Sequence, residues 1–427
     1  MAPRQTRMRL YRRLDALVIV SLLVLSASTQ AANWPRFRGP NGQGISPART
    51  IPATWSEQDY LWNIELSGKG HSSPVVWDET LIVTCADEKA MQGFVLCIDP
   101  ADGHERWRRP YAVDKYGLNS LNSFASPTPA LDAERIYTLW PGAGQTTLVA
   151  LTHEGEEVWT ATLPPVRARH GQGSSPIVVG DTVIVSHEQD GNSQGLTGVW
   201  LAFDRRTGRQ RWRYEHLNND QASYSTPCVY EDRNKQTHLI FTSNSHGIAA
   251  LDPATGDVRW QTPEALPARV VSSPVVAGEM LIATCGKGGR GLRLAAVKPH
   301  ADGDAGATEV YALTSRIVPY VPTSIAHDGL LFTFYDGGTV SCLRSATGEV
   351  LWSEKPAGRY YASPIWVDGK LVNVTIGGDV VVLEAGPTYK LLAINPLGEK
   401  SHATPAVANN RLYLRTFTHL IAIGPGT

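Results

Sequence analysis

Residues 248–276 read IAALDPATGDVRWQTPEALPARVVSSPVV. An apolar run ends at Asp252, turns at Thr255-Gly256, returns through Trp260, crosses a short polar loop and reaches Ser272-Ser273-Pro274 before the next apolar run. Short alternating runs broken at Gly, Asp and Pro are the pattern of antiparallel strands joined by tight turns. The rest of the chain repeats this phrase. Its second half recurs as LCIDPADGHERW to Trp107, LVALTHEGEEVW to Trp159, LAFDRRTGRQRW to Trp212 and CLRSATGEVLW to Trp352, while the copies near Leu294 and Leu383 lack the tryptophan.

The residues that open the inner strands are Pro74, Pro127, Pro176, Pro227, Pro274, a degenerate Thr323-Ser324, Pro364 and Pro405, separated by 53, 49, 51, 47, 50, 40 and 41 residues. That period belongs to propeller blades, not to helical repeats of about 33 or 34 residues. One small sheet exposes two apolar faces, so neighbours must cover it; a radial arrangement does this and leaves only short edges. The sequence predicts an all-β fold, an eight-bladed propeller of four-stranded antiparallel blades. Trp reads as a wedge between adjacent blades, since a large ring fills the gap and keeps one N–H for a partner. Trp62, in a strand at 61–66, precedes the first complete repeat, and the C-terminal stretch supplies three strands but ends before a tryptophan strand. The N-terminal strand is therefore expected to complete the last blade and close the ring.

Residues 1–31 place five arginines before an apolar run at 16–25 and a small-residue exit at Ser28, Thr29, Gln30 and Ala31. This predicts a signal peptide cleaved near Ala31, with a run too short to span a membrane. Starting from a net charge of −1, removal of five Arg and one Asp leaves −5 for residues 32–427. Such mild acidity favours neither nucleic acid nor an anionic membrane surface. Residues 32–54, containing NWPRFRGPNGQGIS, are expected to be an arm packed on a single propeller domain at 55–427, and the polar insertion at 298–308 a loop.

The phrase L-x-A-L-D-x-x-T-G-x-x-x-W with its S-S-P-V-V partner resembles the pyrroloquinoline-quinone-type repeat of quinoprotein dehydrogenases and of the outer-membrane assembly factor BamB. NWPRFRGPNGQGIS, GKGHSSPVVW and LNSFASPTP are similar to exported PQQ-binding-like propellers of planctomycetes and related bacteria. The resemblance to the dehydrogenases implies an adjacent cysteine pair against the quinone and a carboxylate set for calcium. Cys85, Cys97, Cys228, Cys285 and Cys342 include no adjacent pair, and no acidic cluster with oxygen-ligand spacing occurs. The expectation is a binding module without a cofactor or metal, with the quinone as the alternative. Cys97 and Cys342 take a small-residue slot, although Cys85 and Cys97 flank one hairpin and leave a disulfide open.

Loops before the inner strands of a propeller rim its central channel, a usual place for a ligand. These loops carry Lys69, His71, Asn122, Ser123, His170, Gln172, Gln221, Tyr224, Arg269, Tyr320, Arg359, Tyr360, Tyr361 and His402. Polar side chains also cap exposed backbone at any such rim. As a binding funnel, tyrosine faces would take sugars or peptide side chains, and Lys69, Arg269 and Arg359 would take carboxylates. By resemblance the expected partner is an envelope protein, with a polysaccharide or small ligand as the alternative, and the protein is expected to be a periplasmic or secreted monomer. BamB is a lipoprotein, and this chain has no lipid-bearing cysteine after its apolar run.

Overall fold

The structure, a computed structural model, describes residues 33–190, 197–217, 221–300 and 306–425. The expected signal peptide lies outside the described residues. Among the described residues eight sheets follow one another, with strands in chain order from the inner strand outward in all but the last, whose outer strand comes from the N-terminal part of the chain. Blade 4 shows the plan: Cys228–Glu231, Thr237–Ser243, Gly247–Leu251 and Val258–Gln261. Its central strands are buried almost throughout, as Gly247–Leu251 shows, whereas in the outer strand Trp260 is buried, Val258 and Arg259 are half-buried and Gln261 is exposed. Both faces of a blade's centre are covered by neighbouring blades, which replaces strict alternation with continuous apolar runs.

Tyr60–Glu65 pairs antiparallel with His419–Ile423, with Trp62 opposite Ala422. The N-terminal strand thus completes blade 8 and closes the ring. A departure from four strands occurs in blade 7, where Ile45–Ser46 of the arm adds parallel to Ile365–Val367.

Each outer strand carries a register shift at the residue before the wedge position. A bulge inserts one unpaired residue and re-aims the next side chain. In blades 1, 3 and 4 the extra residue is Arg106, Arg211 or Arg259, and it reaches back to Asp99, Asp204 or Asp252 of the preceding turn. The tryptophan that follows faces a small residue across the strand: Trp107 opposite Cys97, Trp212 opposite Ala202, Trp260 opposite Ala250, Trp352 opposite Cys342. Its indole N–H crosses to the next blade, from Trp107 to the His153 carbonyl (2.8 Å), Trp159 to Arg205 (3.0 Å), Trp212 to Pro253 (3.0 Å) and Trp352 to Gly386 (3.0 Å). In blade 5 Tyr311 replaces the tryptophan, and its hydroxyl donates to the Ser345 carbonyl at 2.9 Å. Blade 7 has Ala393 in this place, opposite the larger Val382, and Trp55, which follows the arm, joins the same apolar cluster.

The Ser and Thr residues that precede the inner strands link blade to blade. The backbone N–H of Ser73 donates to Thr128 Oγ1, Thr128 to Ser175, Ser175 to Thr226, Thr226 to Ser273, Ser273 to Thr323, Thr323 to Ser363 and Ser363 to Thr404, all at 2.9 to 3.1 Å. This belt corrects one register: the equivalent of Pro74 in blade 2 is Pro129, after Thr128, and not Pro127. The disulfide alternative also fails, since all five cysteines are buried free thiols. Cys85 pairs with Phe94 and Cys97 with Ile82, so the two thiols enter different apolar clusters on opposite faces of their sheet.

Candidate functional site: a blind funnel

The arm crosses the propeller at one end of the central channel. Trp34 exchanges two 2.9 Å backbone bonds with Val76 of blade 1. Asn41 brackets the backbone of Val229 in blade 4, Gln43 accepts from the N–H of Val276 in blade 5, and the Gly44 carbonyl accepts from Trp366 in blade 7. Phe37, between these anchors, lines the channel beside Thr128, Ser175, Thr226 and Ser273 of the belt. The channel is therefore a funnel with an aromatic floor, enclosing about 380 Å³.

Eight of the fourteen residues named at the rim line this cavity: His71, Asn122, His170, Tyr224, Arg269, Tyr320, Tyr361 and His402. On one wall His71 lies 4.7 Å from His402 and 5.2 Å from Phe417 between ring centroids, and Tyr361 meets His402 edge-on at 5.1 Å. On the other wall Arg269 Nη1 lies 2.9 Å from His170 Nε2, and its Nη2 is 3.6 Å from Asp190. The side chain of Asn119 reaches His170 Nδ1 at 2.9 Å, while Asn122 donates to the carbonyls of His170 and Gln172 at 2.7 and 3.2 Å.

Burial, with His402 and Arg415 adding repulsion, lowers His71 to about 3; burial lowers His402, and burial with Arg269 lowers His170. At neutral pH the three rings are thus uncharged, and they serve as aromatic and hydrogen-bonding surface. Among the described residues that line the cavity, Arg269 is the one Lys or Arg. Tyr320 is fixed from below by Asp336, whose carboxylate accepts the N–H groups of Tyr320 and Val321 at 2.7 and 3.0 Å. Burial still raises that carboxyl to about 6.

Six expected rim residues stand elsewhere: Ser123 is buried with its hydroxyl 3.0 Å from that of Ser126, Gln221 is half-buried outside the lining, and four others have other places. Tyr360 has no exposed surface; its backbone bridges Thr375 and its ring packs edge-on against Phe334 at 5.2 Å, so it belongs to the core. Alternation along the chain sends Tyr361 into the funnel and Tyr360 out of it. Gln172 is buried and directs its amide toward the Ser186 carbonyl at 3.4 Å. Lys69 is exposed, with its backbone bridging Ala86, and Arg359 lies outside the cavity with Nη2 3.4 Å from the Tyr361 hydroxyl. Residues not singled out from the sequence also line the funnel, notably Phe37, Asn119 and Leu121, the last 52% exposed.

A family model described as outer membrane protein assembly factor BamB, built on PQQ-type repeats, matches residues 91–318 and 320–416. The chain belongs to this BamB-like family. The BamB of Burkholderia pseudomallei is 23% identical over 252 residues, covering 58% of this chain and 55% of that protein. The chain thus spans about half the length of this curated relative. The crystal structure of BamB from Moraxella catarrhalis is similar with a TM-score of 0.57 and 16% identity, covering 86% of this chain and 97% of that one. Quinohemoprotein alcohol dehydrogenase from Comamonas testosteroni gives a TM-score of 0.68 at 14% identity, covering 93% and 81%. At such identities the two structures share the fold.

The fold's connection to quinoproteins raises the question of a calcium-held quinone. Among the described residues no three His, Cys, Asp or Glu side chains converge on a metal position, and the five buried thiols include no adjacent pair to stack against a quinone. These residues do not fit that group. The chemistry of the BamB-like funnel lies in its own aromatic, amide, hydroxyl and guanidinium groups. Among the described residues, no helix is long and apolar enough to cross a membrane.

Proposed function

We propose that this BamB-like propeller is an exported, non-catalytic scaffold of the cell envelope that receives a segment of a partner protein at the funnel mouth. The carrying observation is the composition of that mouth: the exposed Leu121 lines the same cavity as Tyr361, neutral His170 and the guanidinium of Arg269. An apolar knob, aromatic faces and one cation in one concavity are the make-up of a small interface anchor. The family description as an outer membrane protein assembly factor supports the same reading. The test is retention of envelope proteins from a cell extract on immobilised protein. Leu121→Asp and Tyr361→Ala should remove the retained partner, whereas Val158→Asp on the outer strand of blade 2 should not. Equal retention by all three variants would refute a mouth interface.

A second reading, recognition of a glycan or other small ligand inside the funnel, is favoured by the enclosed volume, which falls within the usual small-molecule range. Tyr224 and Tyr320 bring their rings into one cavity with the Arg269 guanidinium. Retention on polysaccharide columns that is lost in Tyr320→Ala, without loss of protein partners, would favour this reading over the first.

A further inference from the structure

The arm carries Arg36 and Arg38, and both are buried in the propeller, at 7% and 0% exposure. Arg36 Nη2 donates to the Pro227 carbonyl of blade 4 at 2.7 Å. Arg38 Nη2 donates to the Ser324 carbonyl of blade 6 at 2.9 Å and lies 3.3 Å from the Gln43 carbonyl. Room for the two groups comes from glycines of the arm's turn. A Cβ at Gly42 would lie 2.9 Å from Arg36 Nη2, and one at Gly44 2.8 Å from Arg38 Nη2.

These carbonyls satisfy part of the guanidinium surface only. Nε of Arg36 and both Nε and Nη1 of Arg38 are sealed from solvent and have no hydrogen-bond partner among the described residues. The groups that act on the two charges are each other and the thiol of Cys228. Burial holds that thiol in its neutral form, pushed up to about 12. Burial lowers Arg36 to about 10, and burial with repulsion from Arg36 lowers Arg38 to about 9, so both remain charged at neutral pH. Two like charges this deeply buried without a carboxylate are strongly unfavourable, and buried charges in proteins are paired. Carbonyl dipoles reduce the imbalance without cancelling a full charge.

We infer that Arg36 and Arg38 form a closed anion site, in which a small inorganic anion is enclosed when the arm docks and supplies the missing counter-charge. Its place is separate from the mouth, and its validity does not depend on the partner-binding proposal. Burial this deep restricts the occupant to an ion of a few atoms, a halide or a compact oxyanion. It also makes the anion part of the folded state, so anion concentration is linked to stability.

The test is thermal unfolding of the full chain at constant ionic strength, with sodium gluconate replaced stepwise by chloride, sulfate or phosphate. The expected result is a melting temperature that rises with the logarithm of one small anion's concentration. A response to chloride identifies a halide site, and a response to sulfate or phosphate an oxyanion site. Arg38→Met should lose the dependence; Arg205→Met, which removes a mostly buried guanidinium already paired with Asp132 at 3.1 Å, should lower the melting temperature and keep the slope. Identical melting in gluconate and in every small-anion salt would overturn the inference. Should Arg38→Met fail to fold, bromide-soaked crystals of the wild type decide: an anomalous peak in contact with Arg36 and Arg38 supports the site, and none there overturns it.

Discussion

Trp62→Ala strikes the ring where it closes without a covalent link. The indole is 7% exposed, packs against Gly103 of blade 1 and lies 5.9 Å from the Tyr413 ring. Its N–H donates to the Pro100 carbonyl at 3.2 Å. Burying an indole removes roughly 200 Å² from water, which at about 25 cal/mol/Å² gives about 5 kcal/mol as an upper bound. Large-to-small substitutions of buried Trp lose about 3–5 kcal/mol. The Pro100 carbonyl keeps a second donor in Arg411, so no orphan penalty is added, and the expected loss is about 4 kcal/mol. Guanidinium unfolding followed by far-UV circular dichroism and by fluorescence measures it, with coincident curves showing one cooperative transition. Trp159→Ala, the same wedge between blades joined by continuous chain, should lose about as much. A loss below about 1 kcal/mol at Trp62, or an early transition confined to blade 8, would refute cooperative closure.

Three further outcomes follow from the same geometry. Ser175→Ala leaves the buried N–H of Thr128 without its acceptor and should destabilise the protein by about 1–3 kcal/mol, while Ser175→Thr should restore most of it, as read by chemical denaturation. Gly256→Ala places a Cβ 2.6 Å from the Trp212 ring at φ +77°, and should lower stability by more than the ~1 kcal/mol typical of a surface glycine. Acid should destabilise the fold through histidines that stay neutral in it: burial lowers His71 to about 3, and His187 and His246 to about 4. As pH falls below the ordinary value of about 6.5, the unfolded chain takes up these protons first, at about 1.4 kcal/mol per pH unit for each group. Asp336 acts oppositely, since its raised value of about 6 makes the folded state gain stability as pH falls from there toward 4. The melting temperature should therefore fall between pH 6.5 and 4, and fall further in Asp336→Asn; a flat profile would contradict these environments.

The ring was legible because its period and its wedge rest on strong local signals: Thr-Gly turns, Ser-Pro openings and Trp. Tyr311 escaped notice because a tyrosine does the same work with a hydroxyl in place of an indole N–H, a substitution visible only against the Ser345 carbonyl. Pro127 misled because blade 2 carries two Pro-containing candidates two residues apart, and only the hydroxyl belt through Thr128 selects Pro129. Tyr360 and Tyr361 show the limit of loop reading: adjacent side chains face opposite ways, and the bridge to Thr375 that sets which one enters the funnel is a tertiary contact. Phe37 could be expected to pack on the propeller, but its position as the funnel floor follows from anchors at Val76, Val229 and Val276, far away in the chain.

The funnel mouth as a partner site is tested most directly by placing a photo-crosslinking amino acid at Leu121 in cells that express the protein, with Val158, 42% exposed on an outer strand, as the control position. The account predicts a discrete adduct with an envelope protein from Leu121 and none from Val158. Irradiation that yields no adduct at Leu121 above the control would contradict it.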